Sequence, residues 1–157
     1  MKKFFGGAAF VLACECAGAI GAFFTASAIP GWYATLARPH FAPPNWVFGP
    51  VWTFLYAMMG IAAFLVWQMG MRDARVRSAL RMFALQLALN VLWSIIFFGM
   101  RSVSGALVDI ALLWLAIVAM IVYVARVSRP AAWLLAPYIL WVSFAAYLNA
   151  SIWVLNK

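Results

Sequence analysis

Five apolar stretches, each long enough to cross a bilayer, follow one another through the 157 residues with only short breaks between them. About 20 apolar residues span a membrane as a helix. In lipid a helix satisfies its own backbone hydrogen bonds, which makes it the natural state of such a run. The runs predict helices over about 4–29, 46–70, 78–100, 103–127 and 131–154. The expected fold is an all-α membrane protein. It is a single domain over 1–157, a bundle of five transmembrane helices with a Pro- and aromatic-rich loop between helices one and two capping a pocket. Composition agrees, because 69% of the residues are hydrophobic and only 9% are charged. A soluble domain carries roughly 25% charged residues.

The net charge is +8, but the basic residues sit at helix ends. There they read as topology and headgroup contacts rather than as a nucleic-acid face, and no groove-binding module is visible. Lys2, Lys3, Arg72, Arg75, Arg77, Arg81, Arg126 and Arg129 fall on one side of a five-helix bundle, and Arg38, Arg101 and Lys157 on the other. For an inner membrane this excess predicts a cytoplasmic N-terminus; in an outer membrane the rule carries no information. Val11-Leu12-Ala13-Cys14 resembles a lipoprotein cleavage box. Because the apolar run continues to Ile29, beyond a signal-peptide core, a retained first helix is expected. Cys14 and Cys16, two apart on a helix, are badly placed to bond with each other.

Inside this first helix Ala13, Ala17 and Gly21 recur every four residues, a small-residue stripe that suits either packing within the chain or a dimer face. Glu15 is a carboxyl within a span, and such residues are functional candidates by default. Residues 30–45 form the predicted loop. Pro30, Pro39, Pro43 and Pro44 stiffen it, and Trp32, Tyr33 and Phe41 suit either an interfacial belt or a lid over ligand. Residues 71–77 are predicted as a short charged loop.

Three helices carry informative faces. Trp52 and Tyr56 share one on helix two, four residues apart. Gln86, Asn90 and Ser94 form a polar stripe on helix three, with Trp93 and Phe97 alongside, and must face protein or a cavity rather than lipid. Trp141, Ala145 and Asn149 share a face of helix five, which Pro137 is expected to bend. Asp109 lies in helix four, with Arg101 as its expected partner.

The ordered set Trp32-Tyr33, Arg38-Pro39, Pro43-Pro44, Trp46 to Trp52, Gln86 to Asn90, Trp93-Ser94, Phe97-Phe98-Gly99, Ala106 to Asp109, Pro137-Tyr138, Trp141, Phe144-Ala145 and Leu148-Asn149 runs through all five helices. It resembles the translocator protein family, also called tryptophan-rich sensory proteins or peripheral-type benzodiazepine receptors. The resemblance implies a five-helix bundle, commonly a homodimer in membrane lipid. It also implies binding of porphyrins such as protoporphyrin IX or heme, with no cofactor required. Matching positions imply a pocket lined by Trp32, Tyr33, Trp52, Tyr56, Asn90, Trp93, Trp141 and Ala145. Transport, sensing, scavenging and breakdown of the ligand remain alternative roles. In some bacterial relatives two pocket tryptophans support light-dependent porphyrin breakdown, and the corresponding residues here are Trp52 and Trp141. After Leu148-Asn149, where animal relatives carry a cholesterol pattern, this chain holds Ala150 and Val154. Cholesterol binding through that segment is therefore not expected. Val118, Tyr123 and Arg126 do satisfy the pattern, on helix four, but the pattern is itself a weak one.

The residues fit such a ligand on physical grounds. A tetrapyrrole is flat and largely apolar with carboxylates at one edge, and suits aromatic walls with a few polar anchors. Arg38 or His40 near the mouth can meet the carboxylates. His40 as a heme ligand is the lesser reading, since a lone loop histidine is ordinarily solvated. The sequence holds no Ser/His/Asp set or paired carboxylates and a single histidine, so conventional acid–base catalysis has little to work with. The remaining alternatives are photo-oxidation through Trp52 and Trp141 and a bundle that serves only as a scaffold.

Overall fold

A computed structural model describes the backbone of residues 2–157 and the side chains of residues 5–157. Lys2 and Lys3, counted in the charge asymmetry, lie outside the described side chains. Among the described residues the architecture is all-helical, with five segments long and apolar enough to cross a membrane. Helix α1 covers Lys2–Ala28 and continues as a π-helical turn, Ile29–Tyr33. A 3-10 turn at Asn45–Val47 leads into α2, Phe48–Gln68. Helix α3 covers Ala74–Ser94 and also ends in a π turn, Ile95–Gly99. Helix α4 is Val103–Ala125, and the fifth span is made of two pieces, α5 Arg129–Leu134 and α6 Ala136–Leu155.

The breaks have local causes. Pro30 brings no backbone donor, and the ladder widens into the π turn there instead of ending. This corrects the expectation of a loop over 30–45. Trp32 and Tyr33 are helical, and the irregular stretch is confined to 36–44. Helix α3 begins earlier than expected, at Ala74, because Asp73 caps it, accepting from the Arg75 backbone N–H at 2.8 Å. Most of the predicted 71–77 loop is therefore first-turn helix. Ser102 and Ser128 cap α4 and α5 in the same way, accepting from Gly105 N and Ala131 N. Pro137 sits in the first turn of α6, and the helix is interrupted at Leu135 just before it, as a proline without a donor requires.

Helices α1 and α2 approach closely in the half nearer the N-terminus. A Cβ placed on Gly60 lies 2.5 Å from Val11 Cα, and one on Gly18 lies 2.5 Å from the Tyr56 ring. Only glycine admits such contact, which substitutes for a hydrophobic driving force that lipid does not provide. Further along, α1 leans on α3, where Gly21 meets the Ser94 hydroxyl. The small-residue stripe is thus divided: Gly21 is buried within the chain and Ala13 is exposed. The core is tightest around Met59, Val76, Ala79, Ile117, Met120 and Leu135. A second cluster joins Tyr33, Phe97, Ala106, Leu148 and Ile152 near the loop.

Candidate ligand cavity

Between these two clusters the helices enclose a cavity of about 350 Å3, within the roughly 300–1,000 Å3 range of small-molecule sites. The i, i+4 spacing read from the sequence brings Trp52 and Tyr56 to its α2 wall, Asn90, Trp93 and Ser94 to its α3 wall, and Trp141 and Ala145 to its α6 wall. Tyr33 closes the loop end, with Asn45 across from it. Trp32 is the exception among the expected residues. It stands outside the lining and packs edge-on against Phe97, centroids 5.6 Å apart, which itself lines the cavity.

The aromatic walls are braced rather than free. Trp93 stacks on Phe97 at 5.0 Å and donates from Nε1 to Asn149 Oδ1 at 3.2 Å. Asn149 in turn donates to the Val103 carbonyl at 3.0 Å. Trp52 lies 5.5 Å from Tyr56 and meets Tyr138 edge-on at 6.4 Å, while Phe48 meets Trp141 edge-on at 5.9 Å.

A polar chain crosses the bundle beside the cavity. The Tyr56 hydroxyl donates to Asn90 Oδ1 in a short hydrogen bond. Asn90 Nδ2 donates to the Tyr138 hydroxyl at 3.0 Å, and that hydroxyl donates to Gln86 Oε1 at 2.7 Å. The three-residue stripe on α3 is thereby divided by role. Gln86 is fully buried and serves helix-to-helix bonding, Ser94 faces the cavity, and Asn90 does both. Buried polar groups of this kind are normally all partnered. Two are not: among the described residues, Trp141 Nε1 and Asp109 Oδ2 are buried without a hydrogen-bond partner. Trp141 lines the cavity. Asp109 is buried in α4 outside the lining, and its expected pairing with Arg101 is not formed. The chain turns at Arg101 with φ 55°, and the ion pair among the described residues is Arg75–Asp73 at 2.8 Å.

The loop is fastened over one end. Asn156 clasps the Ala37 backbone twice, accepting from its N–H at 3.0 Å and donating to its carbonyl at 2.9 Å. Phe41 stacks on Tyr147 at 5.0 Å. Arg38 lies over the Tyr33 ring at 5.4 Å and donates to Asn45 Oδ1 at 3.3 Å. Arg38 therefore touches two lining residues from outside. With His40 it borders a separate surface recess rather than the cavity itself. The cavity also opens sideways: Ala19 and Ala22 on α1 and Gly49 and Thr53 on α2 line it and yet are exposed.

Glu15 lines the end away from the loop. Tyr138, the node of the polar chain, was legible only as a family-like residue, because its one hydroxyl gives no periodic signal. The α1 wall, with Ala22 and Thr25, was missed because small residues read as packing. Among the described residues no group of three His, Cys, Asp or Glu is placed to hold a metal ion.

A model of the TspO/MBR family matches residues 10–154. The chain is 45% identical over 149 residues to the tryptophan-rich protein TspO of Archaeoglobus fulgidus, covering 94% of this chain and 95% of that protein. It is 48% identical over 143 residues to the protein of the same name from Chlorobaculum tepidum, covering 91% and 90%. To the translocator protein of Bos taurus it is 38% identical over 149 residues, covering 94% and 88%. With the five spans and the braced aromatic cavity already in place, the chain belongs to the TspO/MBR family.

Proposed function

We propose that the protein is an integral membrane receptor or translocator that binds porphyrins, protoporphyrin IX or heme among them, and other flat hydrophobic molecules within the bundle. The observation that carries this reading is the cavity itself, walled by Trp52, Trp93 and Trp141 from three different helices. Aromatic faces hold a flat apolar ring, and Asn90, Ser94 and the unpartnered Trp141 N–H offer polar anchors. The translocator name of several relatives supports the reading. The protein works in this reading as a membrane-embedded homodimer with its N-terminus in the cytoplasm when it sits in an inner membrane.

The test is tryptophan fluorescence quenching by protoporphyrin IX in detergent, for the wild type and for Trp52→Phe and Trp141→Phe. Saturable quenching that weakens in both variants supports the pocket; identical affinity in all three removes it.

A second reading, light-dependent porphyrin breakdown, is favoured by one observation: Trp52 and Trp141 face the same cavity. Illumination of the complex in air, followed at the Soret band, separates the two readings. Bleaching no faster than in empty micelles rejects breakdown.

A further inference from the structure

Arg72, Arg75, Arg77, Arg81, Arg126 and Arg129 crowd the end of the bundle where α2 turns into α3 and α4 into α5, and Asp73 is the acidic residue placed among them. Asp73 is already bound to Arg75 at 2.8 Å, and Arg77 donates to the carbonyls of Met71 and Arg72 at 2.9 and 2.8 Å. Arg81 and Arg126 are exposed, and neither has an ion pair or a hydrogen bond among the described residues.

The position of Arg81 is not that of an ordinary end charge. It stands about two turns inside α3, within the span Ala74–Gly99 and on a face continued by the exposed Leu85, Ala88 and Leu92. A cation that faces lipid at that depth reaches back to the headgroups. Arg126, on the neighbouring helix, lies over the Tyr123 ring at 5.8 Å.

The packing of α3 on α4 relates these two arginines. A Cβ placed on Gly105 of α4 lies 3.1 Å from Ile96 of α3. Tyr123 follows Gly105 by about five turns, so it lies on the flank of α4 that faces α3. Val76 and Val124 share the core between the two helices, and that antiparallel register puts Arg81 within about one turn of the level of Tyr123. Side chains lean toward the N-terminus of their helix. On α3 this is toward the arginine-rich end, and on α4 it is away from it. Arg81 therefore rises as Arg126 folds back over Tyr123, and both lean to a common level with no carboxylate between them.

We propose that Arg81 and Arg126 hold the phosphate of one anionic membrane phospholipid on the outer face of the α3–α4 pair. Guanidinium forks match phosphate oxygens bidentately, and basic recesses between spans suit lipid headgroups. The phosphate belongs to a lipid because the apolar face of Leu85 and Leu92 continues from Arg81 and receives the acyl chains. Two particular arginines carry the site, not the charge of the whole end. The site is on the outside of the bundle and is independent of anything bound in the cavity.

The test is native mass spectrometry of the delipidated protein, titrated at neutral pH with phosphatidylglycerol and with phosphatidylcholine of the same chains. The proteins are the wild type, Arg81→Gln, Arg126→Gln and, as controls that remove the same charge, Arg72→Gln and Arg129→Gln. The wild type is expected to retain one phosphatidylglycerol with a preference of about tenfold, the scale of two arginines at a lipid surface. Arg81→Gln and Arg126→Gln should each lose most of that preference and the controls should keep it, with melting temperatures showing that all five proteins are folded. Equal loss in the controls means diffuse attraction and overturns the proposal, as does a wild type without preference. A rise in melting temperature with soluble glycerol phosphate as large as that with phosphatidylglycerol would put a free phosphate at the site and overturn the lipid assignment. Retention of cholesterol in place of phosphatidylglycerol, lost in Arg126→Gln, would make it a sterol site and overturn it too.

Discussion

Asn90 on α3 donates from Nδ2 to the Tyr138 hydroxyl on α6 at 3.0 Å, and Asn90 lines the cavity while Tyr138 does not. The pair thus joins a cavity-lining residue to one outside the lining, and its two halves have separable consequences. Tyr138→Phe removes the hydroxyl that bonds both Asn90 and Gln86. It is expected to destabilise the fold by about 1–3 kcal/mol, the usual range for a buried polar group losing its partner. Porphyrin affinity should change little. Asn90→Ala should show a comparable loss of stability and weaker binding as well. Thermal melts and quenching titrations on the two variants check this.

The Asn156 clasp makes a prediction about exchange. Asn156→Ala removes both bonds to Ala37. The stretch 36–44 should then show faster amide hydrogen exchange, and the ligand should dissociate faster. Equal exchange and equal off-rates in the variant would mean that Phe41 on Tyr147 and Arg38 on Tyr33 hold the loop by themselves.

Side access is testable at Gly49. A Cβ there meets nothing within 4 Å, so Gly49→Phe can be attached without backbone conflict and adds a ring at the opening between α1 and α2. Association and dissociation should both slow while the equilibrium constant moves much less. Stopped-flow quenching separates the rates.

Helix contact has a sharper limit at Gly60. With Val11 Cα only 2.5 Å from the site of a Cβ, Gly60→Val forces α1 and α2 apart. Overpacking of this kind costs about 1–3 kcal/mol or more. Loss of melting temperature in detergent is the readout, and an unchanged value would mean that α1 is not seated on α2 as described.

Asp73 predicts a pH dependence. Hydrogen bonds from the Arg75 side chain and backbone hold its carboxyl below the usual carboxylate range. A group whose folded pKa is depressed contributes stability above its unfolded value, near pH 4, that is lost as the pH falls through the lower folded one. Asp73→Asn keeps a capping oxygen but not the charge. Melting temperature of the wild type should therefore fall toward that of the variant below roughly pH 4.

The bundle was legible because membrane length and apolarity are properties of whole segments. The cavity walls were legible because Trp52 with Tyr56, Asn90 with Ser94, and Trp141 with Ala145 repeat at helical spacing. Trp32 was not separable from Tyr33 in sequence. Once both are helical, neighbours point to different sides of the helix, and here Tyr33 is the one that lines the cavity. Pro30 and Gly31 read as chain breakers, yet a π turn absorbs them. The start of α3 was hidden by the charges of 71–77, which look solvated although Asp73 is a cap. The pairing of Arg101 with Asp109 failed because one residue in a left-handed turn redirects the chain, which spacing alone does not reveal.

The most direct measurement fills the cavity. Ala145 lines it on α6, and Ala145→Trp places an indole where a flat ligand is expected to lie. Protoporphyrin IX should quench the wild type saturably in nanodiscs. Affinity should fall by about tenfold or more in the variant, the scale of one lost set of ring contacts, with the melting temperature held or raised. Undiminished porphyrin binding by a folded Ala145→Trp protein would contradict a ligand site within the bundle.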